Sequence, residues 1–113
     1  MTTRQLRVAE LIKEELAQII GKRFNGLVPG RLVTITQVSV SSDLGFAKVF
    51  ISIFPSENGQ TIVKEINKNV AQRIRYELGK TVKNSLRIVP ELNFYLDDSL
   101  DEVDRIEKAL KNG

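Results

Sequence analysis

Apolar residues recur at three- and four-residue steps near the start of the chain: Val8, Ile12, Leu16, Ile19 and Ile20. This stripe predicts an amphipathic helix from Arg4 to Lys22, with Thr2 or Thr3 as its N-terminal cap. Asn25-Gly26 and Pro29-Gly30 then supply loop chemistry. Leu32 to Ser41 is rich in β-branched residues and reads as a strand. Its parity changes midway, since Val33 and Ile35 share one phase and Val38 and Val40 the other. Either a bulge near Thr36 or Gln37, or burial of both faces, reconciles them. Ser42-Asp43-Leu44-Gly45 reads as a turn, with Gly45 expected to take positive φ. Phe46 to Phe54 alternates strictly: Ala47, Val49, Ile51 and Ile53 face one way, Lys48 and Ser52 the other. The two strands form an antiparallel hairpin, ended by Pro55.

Ser56 or Asn58 is expected to cap a second helix beginning near Gln60, with Val63, Ile66, Val70, Ile74 and Leu78 as its buried stripe. Gly79 and Asn84-Ser85 weaken that pattern, and Val89-Pro90 cuts it. Glu91 to Leu96 returns to a period of two, with Leu92, Phe94 and Leu96 in phase, and predicts a third strand. Ser99 and Glu102 form a capping box for a last helix of about 99–111, with Leu100, Val103, Ile106 and Leu110 as its stripe. The order is α-β-β-α-β-α. It predicts a single α+β domain over 1–113, a three-stranded sheet with helices on one face.

The chain has 113 residues, no cysteine and no histidine. Its length suffices for one core without a disulfide or metal. Catalysis by cysteine or histidine is excluded, and a reducing, cytoplasmic setting is expected. No apolar run reaches the length of a membrane span, and the N-terminus has no signal-peptide pattern. Net charge is only +3, but it is polarised. Lys64 to Arg87 holds seven basic residues against two acidic, a net of +5. Glu91 to Gly113 holds seven acidic against three basic, a net of −4.

The basic middle makes Lys64, Lys68, Arg73, Arg75, Lys80, Lys83, Ser85 and Arg87 the candidate RNA-contacting residues. Arg4, Arg7, Lys22, Arg23 and Arg31 are additional candidates. At about 100° per residue, Lys64, Lys68 and Arg75 fall within about 40° of one another on a helix. The plain alternative is a solvated helix face. Lys22 and Arg23 have their own, in the helix dipole. The carboxylates Asp97, Asp98, Asp101, Glu102 and Asp104 could hold Mg²⁺ and support a metal-dependent enzyme, but helix capping accounts for most of them. With no Walker A or GxGxxG pattern either, the chain reads as a binding protein rather than an enzyme, with no cofactor.

The element order fits a KH-like domain of the second topological type. A KH domain ordinarily clamps nucleotides with a GxxG loop between its central helices. No two glycines here are three apart, so such a fold would bind structured RNA through helix faces and basic side chains. The segments RQLRVAELIKEELAQII, VTITQVSVSSDLGFAKVFISIF, IRYELGK and LRIVPELNFYLDDSL resemble the bacterial ribosome-binding factor A family over nearly the whole chain. That resemblance implies a KH-like fold of the second type. It also implies a cytoplasmic, monomeric protein that binds the free small (30S) ribosomal subunit and 16S rRNA. Such a protein assists late rRNA maturation, supports growth in the cold and works beside other assembly factors such as a maturation GTPase. A generic KH-like RNA- or DNA-binding module is the alternative.

The sequence departs from the family twice. The family's Ala-x-Gly kink is replaced by Val70-Ala71-Gln72, and the stretch from Gly79 to Pro90 is about two residues longer. The apolar stripe runs through the kink position. The helix is therefore expected to continue through Gln72 and break between Gly79 and Leu86. Lys80 and Lys83 would flank that break, where exposed N–H groups and lysines could hold phosphate.

Overall fold

The computed structural model describes residues 2–23 and 28–97. Helix α1 (Thr3–Arg23) starts on a reciprocal capping box. The Gln5 N–H donates to Thr2 Oγ1 at 3.1 Å, and the Thr2 N–H donates to Gln5 Oε1 at 2.9 Å. Gln5 Nε2 also donates to the Val40 carbonyl at 3.1 Å, tying the helix start to the end of the first strand. The expected stripe of α1 is buried in full, together with Ala9.

Strands β1 (Leu32–Val40) and β2 (Phe46–Phe54) pair antiparallel. Ile35 pairs with Ile51 and Gln37 with Phe50, so Thr36 is the extra residue of a bulge. The bulge resolves the parity change: Val33, Ile35, Val38 and Val40 all pack on the core. Thr36 Oγ1 donates to Asp97 Oδ2 at 2.6 Å and lies 3.2 Å from the Phe50 carbonyl.

The hairpin turn corrects one expectation. Leu44, not Gly45, takes the left-handed conformation, with φ of 61°. That conformation costs a non-glycine residue roughly 1–2 kcal/mol, offset here by packing Leu44 on the core. Asp43 fixes the turn. Its Oδ1 accepts from Ser41 Oγ at 2.7 Å and from the Gly45 N–H at 3.0 Å. A side chain at Gly45 would bring its Cβ to 3.3 Å from that oxygen. Glycine is therefore used for room beside the carboxylate, not for its φ.

After Phe54 the chain enters α2 (Gly59–Glu65). The expected side-chain cap does not form. Asn58 is itself left-handed (φ 60°) and offers its carbonyl to the Ile62 N–H at 3.0 Å, while the Ser56 carbonyl accepts from the Gly59 N–H at 3.0 Å. A π-helical turn over Ile66–Val70 then joins α2 to α3 (Ala71–Val82). The helical path does continue through Gln72, but not as one regular α-helix. Val70 leaves helical geometry at φ −121°, ψ −28° and is only partly buried. The five-residue step from Ile66 to Ala71 carries the buried stripe across, on to Ile74, Leu78 and Val82.

α3 ends at Val82, inside the expected interval between Gly79 and Leu86. The Ser85 and Leu86 N–H groups both donate to the Val82 carbonyl at 2.8 Å. This break is a helix C-terminus, whose unpaired groups are carbonyls. The expected phosphate site of exposed N–H groups is therefore not built there.

Strand β3 (Glu91–Leu96) lies parallel to β2, giving the sheet order β1-β2-β3. Its free edge is closed by a side chain of the π turn. Asn67 Nδ2 donates to the Phe94 carbonyl at 2.8 Å, and the Phe94 N–H donates to Asn67 Oδ1 at 2.7 Å. The helices cover one sheet face, where Ala47, Val49, Ile51, Ile53, Leu92 and Phe94 are buried. The other face carries Lys48, Phe50 and Tyr95, with the two rings 5.6 Å apart. The architecture is KH-like. The expected last helix and most of the acidic Asp97–Asp104 cluster lie outside the described residues.

Candidate nucleic-acid interface

Helix α3 and its connection to β3 carry basic residues in two distinct settings. Arg75 is half-buried, because its guanidinium works inside the fold. Its Nη2 donates to the Val89 carbonyl at 2.9 Å and its Nε to the Pro90 carbonyl at 3.2 Å. These carbonyls belong to the segment that turns the chain into β3, so Arg75 holds that segment against α3. Its alignment with Lys64 and Lys68, drawn on a regular helix, is also altered by the intervening π turn.

The second setting is a shallow groove of about 510 Å³ alongside α3. Gln72, Tyr76, Lys80 and Lys83 line it from the helix and its end, and Val89 from the connection. Gly79 also lines it, and a Cβ there would stand 3.6 Å from Val89 Cγ2, an ordinary van der Waals contact. Arg75, fixed by its two carbonyls, forms part of the wall. Tyr76 is 67% exposed, unusual for a large ring. Lys80 Nζ lies 4.7 Å from the ring centroid and 3.4 Å from Glu77 Oε1. The lysine is thus shared between an aromatic face and a carboxylate.

The structure therefore brings Arg75, Lys80 and Lys83 together. Lys64 and Lys68 are exposed on α2 and the π turn, away from the groove. Arg73 is exposed on α3, and Ser85 and Arg87 are exposed in the connection beyond it; none of the three lines the groove. Among the additional candidates, Arg4, Arg7 and Lys22 are exposed on α1, with Arg7 beside Glu10 and Glu14. The side chain of Arg23 lies outside the described residues. Arg31 is committed within the fold. Its Nη1 donates to the Pro55 carbonyl at 2.9 Å and to the Glu57 carbonyl, clamping the β2–α2 loop. Sequence patterning did not single out Tyr76 and Gln72. The signal for Tyr76 was present, since it stands four and seven residues before Lys80 and Lys83, in helical phase with both.

Among the described residues no group of three acidic side chains is placed to hold a metal ion. Asp97, at the head of the acidic cluster, accepts a hydrogen bond from Thr36.

A sequence model of the family described as ribosome-binding factor A matches residues 4–110. This chain belongs to the ribosome-binding factor A family. A ribosome-binding factor A from Christiangramia forsetii is 40% identical over 112 residues, spanning 97% of this chain and 84% of that protein. One from Flavobacterium psychrophilum is 39% identical over 111 residues, spanning 96% of this chain and 84% of its own length. The fold agrees with family structures. The crystal structure of ribosome-binding factor A from Thermus thermophilus superposes with a TM-score of 0.66 at 22% identity, covering 81% of this chain and 94% of that one. A homology model of the Thermus thermophilus ribosome-binding factor A, fitted into a cryo-electron-microscopy map of its 30S complex, gives a TM-score of 0.62 at 22% identity, covering 80% of this chain and 91% of that one. The chain thus keeps the family fold. A π turn occupies the stretch ending at Val70, immediately before Ala71-Gln72.

Proposed function

We propose that this protein binds the free small ribosomal subunit and 16S rRNA and assists late rRNA maturation, including in the cold. Membership of the family makes it a ribosome-binding factor; the basic and aromatic groove beside α3 is the observation that carries the RNA-binding reading. Lys80, Lys83 and Arg87, with Lys68 and Arg73 further along the helical segment, supply the sequence-independent attraction to phosphate. Arg75 organises the surface from within. The protein acts in the cytoplasm as a monomer, without catalysis of its own. Other assembly factors such as a maturation GTPase are its natural co-workers on the subunit.

Binding to purified small subunits across a salt series tests this reading. Replacing Lys68, Lys80, Lys83 and Arg87 by glutamine should weaken binding. Each lost phosphate contact should lower the log–log salt slope by about 0.7–0.9. Unchanged affinity and slope would reduce the basic face to a solvated surface. In cell extracts, sedimentation with translating ribosomes rather than free small subunits would contradict the maturation role.

A further inference from the structure

We infer that the groove beside α3 takes an unpaired RNA base, stacked on Tyr76, with the flanking phosphates held by Lys80 and Lys83. The inference rests on the RNA-binding reading above and narrows it from structured RNA in general to a splayed single-stranded nucleotide.

Four observations converge on it. Tyr76 presents most of its ring to solvent (67% exposed) on a helix whose other large apolar side chains are buried. The neighbouring volume, about 510 Å³, is within the range of small-molecule sites, roughly 300–1,000 Å³. Gly79 lines that volume and contributes no side chain to it. The site's polar groups suit a nucleotide. The Gln72 amide can both donate to and accept from a base edge, and the two lysines are donors for phosphate.

An A-form duplex offers a different surface, phosphate and 2′-hydroxyl rows with its bases stacked inside. It would use the lysines and leave the ring idle. An exposed aromatic bordered by cations is how single strands are held, because every base has a face to stack. Lys80 already lies over the ring, so an incoming base either takes the opposite face or displaces the ammonium toward its own phosphate. Both routes leave the base on Tyr76. Arg75 cannot replace the ring as a stacking plane without releasing the Val89 and Pro90 carbonyls.

The experiment compares the intact protein with Tyr76→Ala and Tyr76→Phe against two probes of equal strand length: a short unstructured oligoribonucleotide and a blunt-ended RNA duplex. Tyr76→Ala should lose roughly 5- to 100-fold in affinity for the single strand, the equivalent of one base–aromatic stack. Its duplex affinity should stay unchanged. Tyr76→Phe keeps the ring and should bind both probes normally. A second readout uses Tyr95→Phe, which leaves Tyr76 as the sole tyrosine of the two in the chain. Its fluorescence should be quenched by the single strand and not by the duplex.

Equal loss for both probes, or no loss for either, overturns the inference. If the lysine variants lose affinity and salt slope while Tyr76→Ala binds the single strand normally, the stacked base fails and the RNA-binding reading stands. If the intact protein binds neither RNA nor small subunits, both fail together.

Discussion

Asn67→Ala should destabilise the fold by about 2 kcal/mol although the residue is exposed, because its amide acts as an additional strand. At the two ends of β3, the N–H groups of Glu91 and of Asp97 just beyond it reach β2 and its turn, donating to the Gly45 carbonyl at 2.9 Å and the Ile51 carbonyl at 2.7 Å. Backbone groups of alternate residues point the other way. Phe94 is one of these, only 2% exposed, and both its N–H and its carbonyl are met by Asn67, at 2.7 and 2.8 Å. Each such bond contributes about 0.5–1.5 kcal/mol net. Two give about 1–3 kcal/mol, and access of water past the exposed rim keeps the loss near the middle. For a domain of this size that lowers Tm by roughly 8–16 °C. Urea unfolding gives the energy, and amide exchange at Phe94 locates it, since this N–H should lose protection before its neighbours paired with β2. Asn67→Asp adds a sign test. It keeps an acceptor for the Phe94 N–H but sets a carboxylate oxygen against the Phe94 carbonyl. Protonation restores a donor there, so its deficit relative to wild type should shrink as pH falls through the carboxylate range. An alanine variant within about 0.5 kcal/mol of wild type, with Phe94 still protected, would refute the strand-like role.

Arg75→Ala should cost about 1–3 kcal/mol in urea unfolding through the lost bonds to the Val89 and Pro90 carbonyls. Arg75→Lys should recover only part, because one ammonium cannot reproduce the two-pronged geometry; full recovery would show that only charge matters. Asp43 makes a pH prediction. The Gly45 N–H and the Ser41 hydroxyl hold its carboxyl below the ordinary carboxylate range. A depressed folded-state pKa means that its contribution is present above the ordinary carboxylate range and is lost as pH falls through the lowered value. The stability difference between wild type and Asp43→Asn should therefore fade on acidification. An Asp43 titration midpoint at or above the ordinary value in NMR would contradict this.

Much of the fold was legible because periodicity reports burial directly. The stripe of α1 and the strict alternation of β2 follow from which phases carry Val and Ile; the parity change in β1 left a bulge near Thr36 or Gln37 as one of two readings, and the pairing decides for it. The π turn was not legible in this way, and the reason lies in two adjacent residues. Val70 and Ala71 are both apolar, so a four-residue step to Val70 and a five-residue step to Ala71 satisfy the same hydrophobic count. The choice is made elsewhere, by Asn67 meeting the open edge of β3, a contact 27 residues away in sequence. The structural use of charge was hidden for a similar reason. Arg31 and Arg75 count as two cations in any composition, and only the fold shows that they also donate to backbone carbonyls of loops.

The π turn also shapes the candidate interface. Because it advances the stripe by one residue, Ala71, Ile74, Leu78 and Val82 all enter the core. That phase leaves Gln72, Tyr76 and Lys83 on the side facing Val89, where the groove forms. A glycine kink could re-aim the chain, but it would not hold the edge of β3. Here the unpaired geometry of a π turn and one asparagine do both, and Arg75 fastens the opposite wall. The candidate surface is thus fixed by side-chain-to-backbone bonds on either side of α3. The lysines are left to supply attraction, and the tyrosine is left with a ring that the core does not use.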